Sequence, residues 1–233
     1  MMKRLALAAA LAALALPIAP ALAQDWNAEY VATESGHRVG NPEAPLQLIE
    51  FISYTCPHCA HFEQEAEAEL RYVYVHEGRA AREVRPFIRN IVDIAATLVA
   101  ECGPEENFFA NHRVLLHSQD TWLTRAQEMS PEQQARWNAG GIPQRLRAIA
   151  SDLDFYELME PQGYSVTELD ACLSDQARAE AIVAASNASG QEFGVPGTPS
   201  FALNGALLPE VHSWSALQPI LSAAREMPVE STQ

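Results

Sequence analysis

Leu46-Gln47-Leu48-Ile49-Glu50-Phe51-Ile52-Ser53-Tyr54-Thr55-Cys56-Pro57-His58-Cys59-Ala60-His61-Phe62 runs from an apolar segment straight into two cysteines separated by two residues. Apolar residues fall on both faces of Leu46–Ser53, the pattern of an interior strand covered by helices on each side. Glu50 interrupts that run, so an interior strand here carries a buried carboxyl. From Pro57 the pattern turns helical, with Phe62, Ala66, Leu70 and Val73 on one face and Gly78 as a stop. The dithiol therefore sits at a strand-to-helix turn.

Such a position has chemical consequences. Cys56 lies at the N-terminal end of the helix, with Pro57 at the first helical position, where its missing N–H costs nothing. Unpaired backbone N–H groups there stabilise a thiolate, and His58, if protonated, adds positive charge. Cys59, one turn in, has the geometry of a resolving thiol. An inert structural disulfide closing so short a loop would add little stability. Zinc, with His58 or His61 completing the set, would need four ligands, and the chain has no second cysteine pair at knuckle spacing. A redox dithiol is the better account, and no metal is expected.

Working outward, residues 24–44 are polar and punctuated by Gly36, Gly40 and Pro42, with a short strand at Tyr30–Ala32. Ala81–Ile88 reads as a second strand, weakened by Pro86. From Val92 to Ser189 the signals are helical, with at least four helices. Ser130-Pro131-Glu132-Gln133 is a capping box with Pro at the first position, and Thr167 opens a further helix. Val195–Leu203, Asn204-Gly205 and Ala206–Val211 read as a hairpin. A last helix starts near Ser213, and Pro219 must lie in its first turn or kink it.

The N-terminus has a different character. Lys3 and Arg4, the Ala/Leu run Leu5–Pro20 and the small-x-small Ala21-Leu22-Ala23 form the pattern of a cleaved export signal over residues 1–23, with an uncleaved anchor as the rival. Beyond it the chain has 13 Arg, no Lys and 30 acids, so its net charge goes from −15 to 13 − 30 = −17. That acidity speaks against nucleic acid and anionic lipid as partners. Four cysteines in an exported chain of 233 residues are too few for a disulfide scaffold, which leaves chemistry as the reason for one pair. His37, His76, His112, His117 and His212 share no spacing and read as solvated or capping residues.

Cys56-Pro57-His58-Cys59 after an apolar strand resembles the active-site motif of the DsbA-type thiol-disulfide oxidoreductases of the thioredoxin superfamily. Gly194-Val-Pro-Gly-Thr-Pro-Ser-Phe-Ala-Leu-Asn-Gly205 resembles that family's cis-proline loop and following hairpin. The resemblance covers nearly the whole chain beyond residue 23. It implies an α/β thioredoxin fold over 24–91 and 191–233, with a large all-helical domain inserted over 92–190. It implies that Cys56 attacks, Cys59 resolves, and Thr198 and Pro199 form a ledge for substrate peptide. Glu50 matches the buried acid beneath the active site, Glu63 a second acid, and Arg82 or Arg85 must supply any helper charge. Cys102 and Cys172 match a subgroup with a second disulfide in the helical domain.

The expected activity is a periplasmic protein dithiol oxidase, monomeric, with no cofactor beyond the Cys56–Cys59 disulfide. Its substrates would be reduced exported proteins, and a quinone-linked, DsbB-like membrane oxidase would reoxidise it. Thr198 stands where typical oxidases of this type carry Val, which keeps a reductase or isomerase open. A peptide-binding chaperone with a merely structural disulfide is the reading from another class.

Overall fold

The apolar run at Leu46–Ile52 forms the central strand β3 of a six-stranded sheet. The structure is a computed structural model and describes residues 24–226; the export signal expected over 1–23 lies outside the described residues. Strands β1 (Tyr30–Ala32), β2 (His37–Gly40), β4 (Ala80–Pro86), β5 (Ser200–Leu203) and β6 (Ala206–Leu207) complete the sheet in the order β1-β2-β4-β3-β5-β6. Helix α1 (Pro57–Glu69) connects β3 to β4, which pair in parallel, whereas β3 and β5 pair antiparallel.

Both faces of β3 are covered, as its composition requires. Leu46 and Leu48 pack with Phe62, Ala66 and Leu70 along the α1 side, joined by Leu217 and Leu221 of α10 (Trp214–Glu226). On the opposite face Phe51 meets Phe193 with ring centroids 5.3 Å apart. Alternation along a strand puts Leu48, Glu50 and Ile52 on one side. Glu50 therefore points into the apolar layer under α1, and it is fully buried.

Eight helices lie between β4 and β5: α2 (Ile91–Ala100), α3 (Phe108–His117), α4 (Gln119–Gln127), α5 (Pro131–Arg136), α6 (Ile142–Asp152), α7 (Phe155–Met159), α8 (Val166–Leu173) and α9 (Gln176–Phe193). Their apolar faces close around Leu98, Leu115, Trp122, Leu146, Ile149 and Phe155. That core runs without a break into Ile52, Tyr54, Cys56 and Cys59 of the sheet layer. The dithiol thus stands at the seam between the sheet and the helical block.

Several local expectations need correction. Residues 24–44 contain two strands, because β2 pairs with β4 over four residue pairs. The glycines that read as punctuation permit close approach instead. A Cβ at Gly36 would lie 2.0 Å from the Val84 carbonyl oxygen, and Gly40 adopts φ +111°. The second hairpin strand is only Ala206–Leu207, and Pro209 follows. Helix α8 begins at Val166, one residue before Thr167, with Ser165 as its cap. Pro219 lies inside α10 beyond its first turn, where its absent N–H would have met the Ser215 carbonyl.

Candidate active site

Cys56 is the N-cap of α1, with extended backbone at φ −98°, ψ 114°, and Pro57 follows at the first helical position. Its carbonyl accepts the first helical bond, from Cys59 N at 3.0 Å. Both thiols are free and buried, Cys56 at 4% exposure and Cys59 at 0%. The Cys56 thiol is held down to about 5. The hydrogen bond from the Cys59 thiol does most of this, burial opposes it, and the Thr198 side chain and the N–H groups of Cys59 and His58 add to it. Burial, and then the neighbouring Cys56, push the Cys59 thiol well up. Pro57 and His58 are exposed at the rim, where His58 contributes its backbone N–H.

The far end of the chain supplies the facing wall. Thr198-Pro199 is a cis peptide bond. The Cys56 thiol donates to the Thr198 carbonyl at 3.2 Å. The Thr198 hydroxyl oxygen is buried without a hydrogen-bond partner among the described residues, which leaves its O–H available to a sulfur once the thiolate forms. Pro199 is itself held, because its carbonyl accepts from His212 Nδ1 at 2.8 Å.

Beneath α1 lies a buried charge cluster. Arg82 donates to both Glu50 oxygens at 2.8 Å and to Glu63 Oε2 at 2.5 Å. Glu63 is four residues after Cys59 and so shares its helix face. Desolvation pushes the Glu50 carboxyl up, with Arg82 opposing it. Burial pushes Glu63 up as well, but Arg82 and His112 together pull it well below the usual carboxylate range. Two acids share one guanidinium, and their environments drive them apart, which makes Glu50 the member able to carry a proton. Arg82 is the helper charge; Arg85 turns instead to Glu83 at 2.9 Å and Ser189 at 3.0 Å.

Cys102 and Cys172 are joined in a disulfide across 70 residues, linking the end of α2 to α8. It belongs to the helical block and is not among the groups around Cys56.

Sequence reasoning missed the groups that hold the turn. Asp93, at the third position of α2, is fully buried. It accepts from Ser53 Oγ at 2.8 Å and Thr55 N at 2.9 Å, and from Arg89 N and Asn90 N at its own helix start. Gln119 Nε2, at the first position of α4, donates to the Tyr54 carbonyl at 2.7 Å and the Cys56 carbonyl at 2.9 Å. His112 of α3, fully buried, meets the Tyr54 hydroxyl at 3.0 Å and lies 3.6 Å from Glu63. His37 is also buried, stacked on Phe108 at 3.9 Å. Neither histidine is the solvated or capping residue expected, because both fill apolar seams and turn their nitrogens toward buried groups. The one signal available for Asp93 was Asn90-x-x-Asp93, a capping pattern. Among the described residues no group of three or more His, Cys, Asp or Glu side chains converges as a metal site.

Comparison with known proteins agrees with the fold. The sequence profile of a family described as Thioredoxin matches residues 32–223. A solved protein-disulfide isomerase from Novosphingobium aromaticivorans is 40% identical, with TM-score 0.79 over 83% of this chain and 99% of that one. Alpha-DsbA1 of Wolbachia pipientis shares the fold at 16% identity, with TM-score 0.64 over 81% of this chain and 89% of its own. A Rickettsia bellii protein with the provisional name protein-disulfide oxidoreductase is 27% identical over 168 residues, 72% of this chain and 56% of that protein. The chain spans about half the length of the curated relatives it matches.

Proposed function

This chain belongs to the thioredoxin family, and from that premise we propose that it is a DsbA-like protein dithiol oxidase that donates the Cys56–Cys59 disulfide to reduced proteins. The observation that carries this reading is the unequal pair of thiols. Cys56 at a helix N-cap is held down to about 5, and its partner Cys59 is buried and pushed up. A thiolate stabilised in the reduced form draws electrons toward this pair. At pH 7 that stabilisation is on the order of 2–3 kcal/mol against an ordinary thiol, which favours oxidation of the partner.

The exchange runs in two displacements. A substrate thiolate attacks the Cys56 sulfur, the Cys56–Cys59 bond breaks, and Cys59 leaves as a thiolate. Cys59 is the poorer anion of the pair, so it takes a proton, and Glu50 is the group beneath α1 that can supply one. A second substrate thiolate then attacks the substrate sulfur of the mixed disulfide. Cys56 leaves as the stabilised thiolate; the substrate has lost two electrons and the enzyme has gained them. The backbone before cis-Pro199 is the ledge against which an extended substrate segment pairs.

An oxidising compartment, the periplasm, fits both this activity and the Cys102–Cys172 bond. No described helix is long and apolar enough to cross a membrane. A quinone-linked membrane oxidase as electron acceptor, reduced exported proteins as substrates and a monomeric state belong to the same proposal. Thr198 keeps open a second reading, a reductase or isomerase, because it stands before the cis-proline where typical oxidases of this type carry Val.

The test is disulfide formation in a reduced, unfolded substrate protein by stoichiometric oxidised enzyme. Cys56→Ser is expected to abolish it, and Cys59→Ala, given a substrate that already carries a disulfide, to accumulate a mixed disulfide as the Cys56 thiolate attacks that bond and releases the substrate's other thiolate. Undiminished substrate oxidation by Cys56→Ser would exclude the catalytic role. Suppressed aggregation by that variant, with no oxidation even by wild type, would point to a peptide-binding chaperone instead.

A further inference from the structure

The segment Ser53–Cys56 is held almost wholly from outside the sheet, by three helices of the inserted block. Asp93 of α2 takes the Ser53 hydroxyl and the Thr55 N–H, His112 of α3 takes the Tyr54 hydroxyl, and Gln119 of α4 takes the carbonyls of Tyr54 and Cys56. The last contact is the one that touches the nucleophile's own backbone.

We propose that Gln119 is a positioning residue for the dithiol: its side-chain amide, reaching in from the inserted helices, fixes the carbonyls of Tyr54 and Cys56, on either side of the Thr55–Cys56 peptide bond, and so aims the Cys56 sulfur. The proposal deepens the thiol-exchange reading and takes its functional meaning from it. The Cys56 carbonyl lies at the start of α1, where its bonds from Cys59 N at 3.0 Å and Ala60 N at 3.4 Å fix the first turn. Gln119 is 2% exposed, so water offers these carbonyls no substitute for its donor. With both carbonyls pinned, Cys56 keeps the extended backbone that turns its sulfur toward the N–H groups of His58 and Cys59. Unpinned, the Tyr54–Cys56 backbone can rotate, and the sulfur leaves the direction in which the helix start favours negative charge. Donation to the Cys56 carbonyl also offsets a partial negative charge one residue's length from that sulfur.

Gln119 stands where α3 ends and α4 begins, with Ser118 shared between them. A displacement of that corner therefore moves the donor, and the inserted block acquires a direct mechanical connection to the reactive thiol. No catalytic step is assigned to Gln119; it acts through the backbone of Cys56.

The experiment is ultraviolet titration of the thiolate in the reduced full chain, with iodoacetamide alkylation followed across the same pH range. Gln119→Met keeps the length and removes the donor. It is expected to raise the titration midpoint by about half a unit to one unit and to slow alkylation near the wild-type midpoint. Trp122→Phe, on the same helix and losing the bond to the Leu115 carbonyl, is the control for lost stability and should leave the midpoint in place. A Gln119→Met curve superimposed on wild type would overturn the proposal. If Gln119→Met does not fold, Gln119→Leu, which likewise has neither donor nor charge, is read in the same way. The titration needs no protein substrate. A shifted midpoint in an enzyme that oxidises nothing would sink the proposed function and leave the positioning role standing.

Discussion

Arg82 grips Glu50 through two parallel 2.8 Å hydrogen bonds beneath the dithiol helix, and both side chains are shut away from solvent. The pair is not isolated, because Glu63 draws on the same guanidinium. Removing the cation strands two buried carboxyls at once. Arg82→Met is expected to lower stability by about 3–5 kcal/mol at neutral pH. The loss should shrink as pH falls and the carboxyls take up protons. Denaturant unfolding at neutral and acid pH measures both effects.

Glu50→Gln should behave differently. The Glu50 carboxyl is already pushed up by burial, so its folded value lies above its unfolded one and its contribution to stability is lost as pH rises through the folded value. Replacing it by a neutral amide removes that loss. Stability at neutral pH is expected to change by less than about 1 kcal/mol, while mixed-disulfide formation should slow if Glu50 has the proposed role of proton donor to Cys59. Stopped-flow exchange with a small peptide thiol separates the two: a slower first step at unchanged stability is the predicted result.

The reduced and oxidised forms should differ in stability in a pH-dependent way. Cys56 titrates near 5 when folded and near about 8.5 when unfolded. A depressed group contributes stability that is full above the unfolded value and is lost as pH falls through the folded one. The oxidised form has no such group. The reduced form should therefore gain on the oxidised form as pH rises from about 5 to about 8, and the gain should level off below about 5. Above that window Cys59, pushed up in the fold, ionises only in the unfolded chain and takes stability away. Thermal unfolding of both redox forms across pH tests this.

Much of this site was legible from residue order, for identifiable reasons. Cys56, Pro57 and Cys59 announce themselves by spacing, since a helix start places them without help from elsewhere. Pro199 and Glu50 were placed by resemblance; the fold makes the Thr198-Pro199 bond cis with the Thr198 carbonyl against the Cys56 sulfur, and buries Glu50 under α1. Asp93, His112 and Gln119 carry no local sign of their task. Each reaches the Ser53–Cys56 segment only because α2, α3 and α4 pack against it from 38 to 65 residues away in sequence. Strand β2 was hidden for the opposite reason: Gly36 and Gly40 look like turn residues, yet they are there because β4 lies too close for a side chain.

Gly36→Ala tests that last point. Its Cβ would meet the Val84 carbonyl at 2.0 Å, and backbone on both strands would have to shift. A loss of at least about 2–3 kcal/mol is expected, with the Cys56 titration unchanged because β2 lies two strands from β3. Urea unfolding and thiolate titration of the same variant report the two quantities.

The Cys102–Cys172 bond should serve stability more than chemistry. Closing 70 residues contributes up to about 4 kcal/mol in the loop-entropy picture. Replacing both cysteines by serine is expected to lower the unfolding midpoint and to leave substrate oxidation in place. Thiol labelling of the denatured, unreduced wild type should find no free thiol beyond Cys56 and Cys59.

The most direct test of the central claim is the reduction potential of the Cys56–Cys59 pair, measured at equilibrium with glutathione at pH 7. A donor of disulfides, with its thiolate stabilised at the start of α1, should lie above about −200 mV. A value at or below about −250 mV, in the range of thioredoxin-like reductants, would contradict the assignment of this chain as an oxidase.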